Sequence, residues 1–153
     1  TMAGSIALNI EEWAEPFEPP CVLFGCHELL VTVGQSNGMG GRNQEWALAA
    51  AKRNAKSPNI IMGSVDSDGN DGPGHQFARG NENVPQLAGG IVDGRTWQEA
   101  IDAGLDPEAE LRRHNTSPVL WAVGSGVQTT FNISIGDLTA ILILGRAAPR
   151  THP

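Results

Sequence analysis

Residues 34–56 read GQSNGMGGRNQEWALAAAKRNAK, and this stretch decides how the rest of the chain is interpreted. Gly34 to Gly41 is too glycine-rich for regular structure. From Arg42 onward the composition changes to strong helix formers, with Trp46, Ala47, Ala50 and Ala51 forming an apolar stripe. A glycine-rich loop entering a helix offers unpaired backbone N–H groups and the positive end of the helix dipole, a setting suited to an anion. Arg42 adds a planar charge able to grip a carboxylate or phosphate through two hydrogen bonds. The plainer alternative is a surface loop whose arginine caps its own neighbourhood. Spacing alone leaves the two level, because the loop is neither a Walker A sequence nor a dinucleotide fingerprint.

Working outward, Cys21 to Gly25, Leu29 to Val33, Ile60 to Val65 and Leu138 to Leu144 have the short apolar character of buried strands. Ser5 to Glu15 carries Ile6, Ile10 and Trp13 near helical spacing, and Pro16, Pro19 and Pro20 follow as a stiff connector. Thr96 and Glu99 have capping-box spacing, and Asp106-Pro107-Glu108 supplies an N-cap, a proline at N1 and an acid in the first turn. His75 to Gly90 and Gly124 to Gly136 read as loops, and Ser117 to Val123 is ambiguous. Strands alternating with helices predict an α/β fold, a layered α/β/α arrangement on a mostly parallel or mixed sheet in a single domain. Residues 1–20 form its helix and connector, 21–145 the domain proper and 146–153 a tail.

Composition limits the partners. The chain has 153 residues, 17 acidic and 10 basic side chains and a formal net charge of −7, the wrong sign for a nucleic-acid backbone binder. No run approaches the roughly 20 apolar residues needed to cross a membrane, and no basic leader precedes the first apolar residues, so a cytoplasmic location is the default. Cys21 and Cys26 fall on opposite faces of one strand and read as buried thiols, unpaired and without metal-ligand spacing.

Two further groups could carry chemistry. Asp66-Ser67-Asp68-Gly69-Asn70-Asp71-Gly72 places clustered carboxylates after a strand, where Mg²⁺ could be held by one or two oxygens while a phosphate supplies others. It imitates an EF-hand loop at first, but the sixth position is Asp71 rather than glycine and the twelfth is Phe77 rather than glutamate. A turn-rich solvated loop is the alternative. His27 and Glu28 stand at a strand end, where a carboxylate could orient a hydroxyl and a histidine could titrate near neutrality; a non-catalytic histidine is the commoner outcome. His75, His114 and His152 show no ligand spacing and are assigned no role.

Taken in order, Gly40-Gly41-Arg42-Asn43-Gln44-Glu45, Asp68-Gly69-Asn70-Asp71-Gly72-Pro73, Val92-Asp93-Gly94 and Gly104-Leu105-Asp106-Pro107 resemble the MOFRL domain. That is the C-terminal domain of the glycerate 2-kinases, a family also known under the name hydroxypyruvate reductase. The resemblance runs from about Cys21 to Leu144, and GGRNQE is its most specific string. It implies transfer of the γ-phosphoryl group of ATP to D-glycerate with Mg²⁺, across a cleft between this domain and a nucleotide-binding one. It makes Arg42 and Asp68 catalytic and Asp68 and Asp71 metal ligands. Glu28, Gly40, Gly41, Arg42, Asn43 and Glu45 become acid-binding residues.

The family's late glycine loop is matched in reduced form by Thr130, Asn132 and Ser134, where loss of the first glycine and insertion of Phe131 would crowd a phosphate. A family string after the first strand keeps only Gly25 and Glu28, and His75 to Val84 reads as an insertion. No counterpart of the nucleotide-binding domain is present in the sequence. Three readings follow: a glycerate-kinase part that works only with a separate nucleotide-binding chain, a small-anion-binding module without catalysis, or an oligomerising domain whose old cleft has become an interface.

Overall fold

The computed structural model describes residues 1–130 and 133–146. Five strands form one sheet in the order β1-β5-β2-β3-β4, where β1 is Cys21–His27, β2 Ile60–Asp66, β3 Gly89–Asp93, β4 Gly126–Val127 and β5 Asp137–Ile143. Every pairing is antiparallel. The α/β class is therefore what forms, with an antiparallel sheet where a mostly parallel or mixed one was expected. The reason lies in β5, which arrives last and inserts between β1 and β2. Running against both, it leaves those two strands pointing the same way without hydrogen-bonding to each other.

The helices are α1 (Met2–Trp13), α2 (Arg42–Arg53), α3 (Thr96–Asp102), α4 (Pro107–Arg112) and α5 (Thr116–Ala122). Ala7 and Ile10 of α1, Ala47, Leu48, Ala50 and Ala51 of α2, Ala100 of α3 and Val119 and Leu120 of α5 close over Ile60, Met62, Val92, Ile141 and Ile143 of the sheet. Alternation in β2 and β5 explains this: Ile60, Met62, Ser64 and Asp66 are buried with Asp137, Thr139, Ile141 and Ile143, while their neighbours face the other way. On that other face Val22, Phe24, Ile61, Ile91 and Leu138 remain exposed, Phe24 at 83%. The helices thus cover one face, where the α/β/α expectation placed them on both.

Several local expectations change. Leu29 to Val33 is not a strand: it lies beyond the end of β1, and the Leu29 N–H is taken by the Asp137 side chain instead of a ladder partner. Gly89–Asp93, read as the end of a loop and a motif, is a strand, and Ser117 to Val123 falls largely within α5. The Thr96–Glu99 box is replaced by Asp93, whose Oδ1 accepts the backbone N–H of Arg95 at 2.8 Å and of Thr96 at 3.2 Å. The Asp106 cap forms as expected, accepting the Ala109 N–H at 2.9 Å.

Cys26 is exposed rather than buried, because it points to the open sheet face while Cys21 packs toward the core. Glu11 of α1, to which sequence gave no role, is buried. It accepts hydrogen bonds from Ser57 Oγ and from both nitrogens of Asn59, tying α1 to the segment before β2.

Candidate functional site

The antiparallel arrangement brings acids together at one end of the sheet. Asp66 closes β2 and Asp137 opens β5, and the register sets them directly opposite each other. Glu28 follows His27, which is paired with the same Asp137. Like charges opposite each other across a ladder repel, and here both aspartates are buried. Arg42, at the start of α2, resolves the conflict: one terminal nitrogen lies 2.6 Å from Asp66 Oδ2 and its Nε lies 2.8 Å from Asp137 Oδ2. Glu28 is 3.8 Å from the guanidinium on the solvent side. Burial works against the charge on Arg42, but the hydrogen bond and charge of Asp137 and the charge of Asp66 outweigh it and raise the pKa further. Burial likewise opposes ionisation of Asp137, yet Arg42, Asn43 and the Leu29 amide together hold its carboxyl below the usual range.

Each residue of the RNQE string ties a different segment to this centre. Asn43 donates its side-chain amide to Asp137 Oδ1 at 2.6 Å and to Asp71 Oδ1 at 3.2 Å, and accepts from Ser64 Oγ. Gln44 donates to the Asp71 carbonyl and accepts from Ser117 Oγ of α5. Glu45 pairs with His114 Nδ1 at 2.7 Å. The helix N-terminus is itself occupied from within: Asp71 Oδ1 takes the Asn43 N–H at 3.1 Å and Asp71 Oδ2 the Gln44 N–H at 2.9 Å. Burial raises the pKa of Asp71, and these hydrogen bonds work against the rise.

The glycines serve the same closeness. A Cβ on Gly41 would fall 2.3 Å from Asp71 Cγ, and one on Gly72, at φ +84, would fall 2.0 Å from the Gly40 carbonyl. They let the protein's own segments approach.

Beside Arg42 opens a cavity of about 520 Å³, within the range typical of small-molecule sites. Glu28, Gly40, Gly41, Arg42, Glu45 and His114 line it, together with apolar residues from the Leu29–Val33 segment and with Phe77. Arg42 keeps 25% of its side chain exposed there. Of the acid-binding residues expected from sequence, Asn43 alone does not line the cavity; it is buried and acts as a link.

Asp68 and Asp71 stand differently. Both Asp71 oxygens are committed to α2, whereas Asp68 is half-exposed, with Oδ1 accepting the Asn70 N–H at 2.8 Å. Asp68 thus keeps carboxylate oxygen open toward solvent, while both Asp71 oxygens are occupied by the helix start. Among the described residues no three His, Cys, Asp or Glu side chains converge as a metal-binding group. Described residues on either side of the reduced late loop reach the neighbours of Asp68: the Ile135 N–H donates to Ser67 Oγ at 2.8 Å, and the Thr130 carbonyl lies 2.9 Å from where a Cβ on Gly69 would stand. Ser134 is exposed, and Asn132 lies outside the described residues.

His27 is exposed, its Nε2 3.4 Å from Thr139 Oγ1. Sequence reasoning missed Asp66 and Asp137 as the partners of Arg42, and His114 as the partner of Glu45. The signal available for the aspartates was their position at strand ends, with Asp66 closing one apolar run and Asp137 opening another.

A buried pair of acids organised by one helix start lies next to a cavity of ligand size in this α/β domain. The chain belongs to the MOFRL family, whose profile matches residues 20–134. It is 40% identical over 121 residues to glycerate 2-kinase of Pyrococcus horikoshii, covering 79% of this chain and 25% of that protein. To D-glycerate 2-kinase of Thermotoga maritima it is 34% identical over 142 residues, 92% of this chain and 31% of the relative. The crystal structure of the Thermotoga maritima glycerate kinase superposes with a TM-score of 0.83 at 32% identity, over 94% of this chain and 32% of that one. A structure from Pyrococcus horikoshii gives 0.81 at the same identity, over 95% of this chain and 31% of that one. The chain thus spans about a quarter to a third of these relatives and corresponds to their C-terminal domain. No helix among the described residues is long and apolar enough to cross a membrane.

Proposed function

We propose that this domain is the acid-binding half of a glycerate 2-kinase site and takes D-glycerate in the cavity beside Arg42. The observation that carries the reading is Arg42 itself, fixed between Asp66 and Asp137 and still facing a cavity of about 520 Å³. The relatives named as glycerate kinases supply the substrate. Gly40, Gly41, Glu28 and Glu45 shape the wall around the acid, and Asn43 and Asp71 keep the helix start in place. ATP would be held by a separate nucleotide-binding domain or chain, with Asp68, Thr130 and Ser134 facing its phosphates. Mg²⁺ held with those phosphates supplies charge neutralisation at the transferring group. The setting is cytoplasmic.

Local charge argues for this division of labour. Arg42 contributes one positive charge against Asp66 and Asp137, so the centre is net negative before Glu28 is counted. An acid bound here gains directed hydrogen bonds more than Coulomb attraction, and a second cation brought with the nucleotide would strengthen it. Phosphoryl transfer needs both substrates clamped and water excluded, so the domain alone should not turn over. The test is ATP-dependent phosphorylation of D-glycerate by this chain alone and after fusion to the nucleotide-binding part of the Thermotoga maritima enzyme. Turnover only in the fusion supports the reading; a folded fusion that binds ATP without turnover contradicts it.

A second reading has its own observation. Val22, Phe24, Ile61, Ile91 and Leu138 leave an apolar sheet face open to solvent, which favours a self-associating domain. Light scattering across a concentration series tests it, and a monomer at every concentration removes it.

A further inference from the structure

His114 has no role in the reading above, yet it is a polar group on the cavity wall held in one orientation. It sits between α4 and α5 with a left-handed backbone, φ +54. Its neighbour Asn115 fixes it, donating to Glu110 Oε2 at 2.6 Å and accepting the Met39 N–H at 2.9 Å. Its Nδ1 faces Glu45 Oε1 at 2.7 Å. A carboxylate accepting at Nδ1 places the proton there in the neutral imidazole, which leaves Nε2 as a lone-pair acceptor. The same cavity is lined by Arg42, a donor, by Glu28, Ser36 and Glu45, and otherwise by apolar side chains and glycines. A ligand satisfying both Arg42 and His114 needs an anionic acceptor and a hydroxyl donor on one small skeleton.

We infer that His114, oriented by Glu45, recognises the substrate hydroxyl through Nε2, so that the cavity selects hydroxycarboxylates over acids lacking that group. The inference rests on the reading that the carboxylate lies at Arg42. Glu45 acts through the imidazole and is a positioning residue. A site that accepts a hydroxyl hydrogen bond disfavours an analogue without hydroxyls, because the half-buried acceptor then loses that partner.

Calorimetric titration of the chain with D-glycerate and with propanoate tests this, on the parent and on His114→Asn, which suits a left-handed position. The parent should prefer D-glycerate by about tenfold or more. In His114→Asn that preference should shrink to about twofold, with propanoate affinity unchanged and the protein still folded. Nitrogen-detected NMR of the parent should show the Nδ1–H tautomer, and Glu45→Gln should disturb it. A preference that survives His114→Asn, or an Nε2–H tautomer in the parent, overturns the inference. If Arg42→Lys weakens both acids while His114→Asn leaves the preference intact, the inference alone fails. If the folded parent binds neither acid, the acid-site reading fails and this inference falls with it.

Discussion

Asp66 and Asp137 face each other across the β2–β5 ladder, both buried, and stand together because Arg42 lies 2.6 and 2.8 Å from them. The arginine that sequence suggests for a ligand is thus also the counter-ion without which this end of the sheet would carry two unpaired acids. Its structural task and its proposed binding task share one side chain, and variants must be chosen to separate them.

Acid should loosen this centre in a readable way. Asp137 has its pKa held below the usual carboxylate range, so its contribution to stability is present above the unfolded value, near 4, and is lost as pH falls through the folded one. Urea unfolding of the parent between pH 7 and pH 3 should show that loss. Asp137→Asn should be less stable at pH 7 by about 1–3 kcal/mol and flatter on the acid side. An equally steep acid limb in the variant would remove Asp137 as its source.

Asp71 should behave as a cap rather than as a metal ligand. Asp71→Ala leaves the Asn43 and Gln44 N–H groups buried without acceptors, at a cost of about 1–3 kcal/mol. The loss in melting temperature should be the same with and without millimolar Mg²⁺. A parent stabilised by Mg²⁺ alone, with that gain abolished in Asp71→Ala and kept in Asp68→Asn, would assign the metal to Asp71 instead.

Gly41→Ala probes the close approach behind that cap. The new Cβ would meet Asp71 Cγ at 2.3 Å, so α2 or the Asp71 loop must shift. Thermal unfolding should report a loss of about 1–3 kcal/mol, and a variant as stable as the parent would show that the contact is slack.

Glu11→Ala tests whether α1 is part of the folding unit. Glu11 is buried and accepts from Ser57 and Asn59, so its removal should cost about 1–3 kcal/mol in one cooperative transition. A separate early transition would mean that α1 unfolds on its own.

How much of this was legible beforehand follows from which contacts are local. The α2 helix, the Asp106 cap and the apolar runs of β1, β2 and β5 rest on periodicity and short-range chemistry, which a sequence displays directly. The family strings identified Arg42, Gly40, Gly41 and Glu45 as cavity residues. What stayed hidden was set by partners far along the chain. Arg42 meets Asp137 across 95 positions and Glu45 meets His114 across 69. The insertion of β5 between β1 and β2 fixed the strand directions, and no local pattern announces such a crossover. Leu29 to Val33 shows the converse: its β-forming residues pair with no strand and line the cavity instead.

Whether Arg42 holds a small acid in the cavity is decided by calorimetric titration of D-glycerate into the parent and into Arg42→Lys. Lysine keeps a positive charge between Asp66 and Asp137, so the fold should hold, but it lacks the planar fork that serves the aspartates and a carboxylate together. Arg42→Lys should keep the parent's secondary structure and bind D-glycerate about tenfold or more weakly. Equal affinity in the two proteins would contradict this and move the acid away from Arg42.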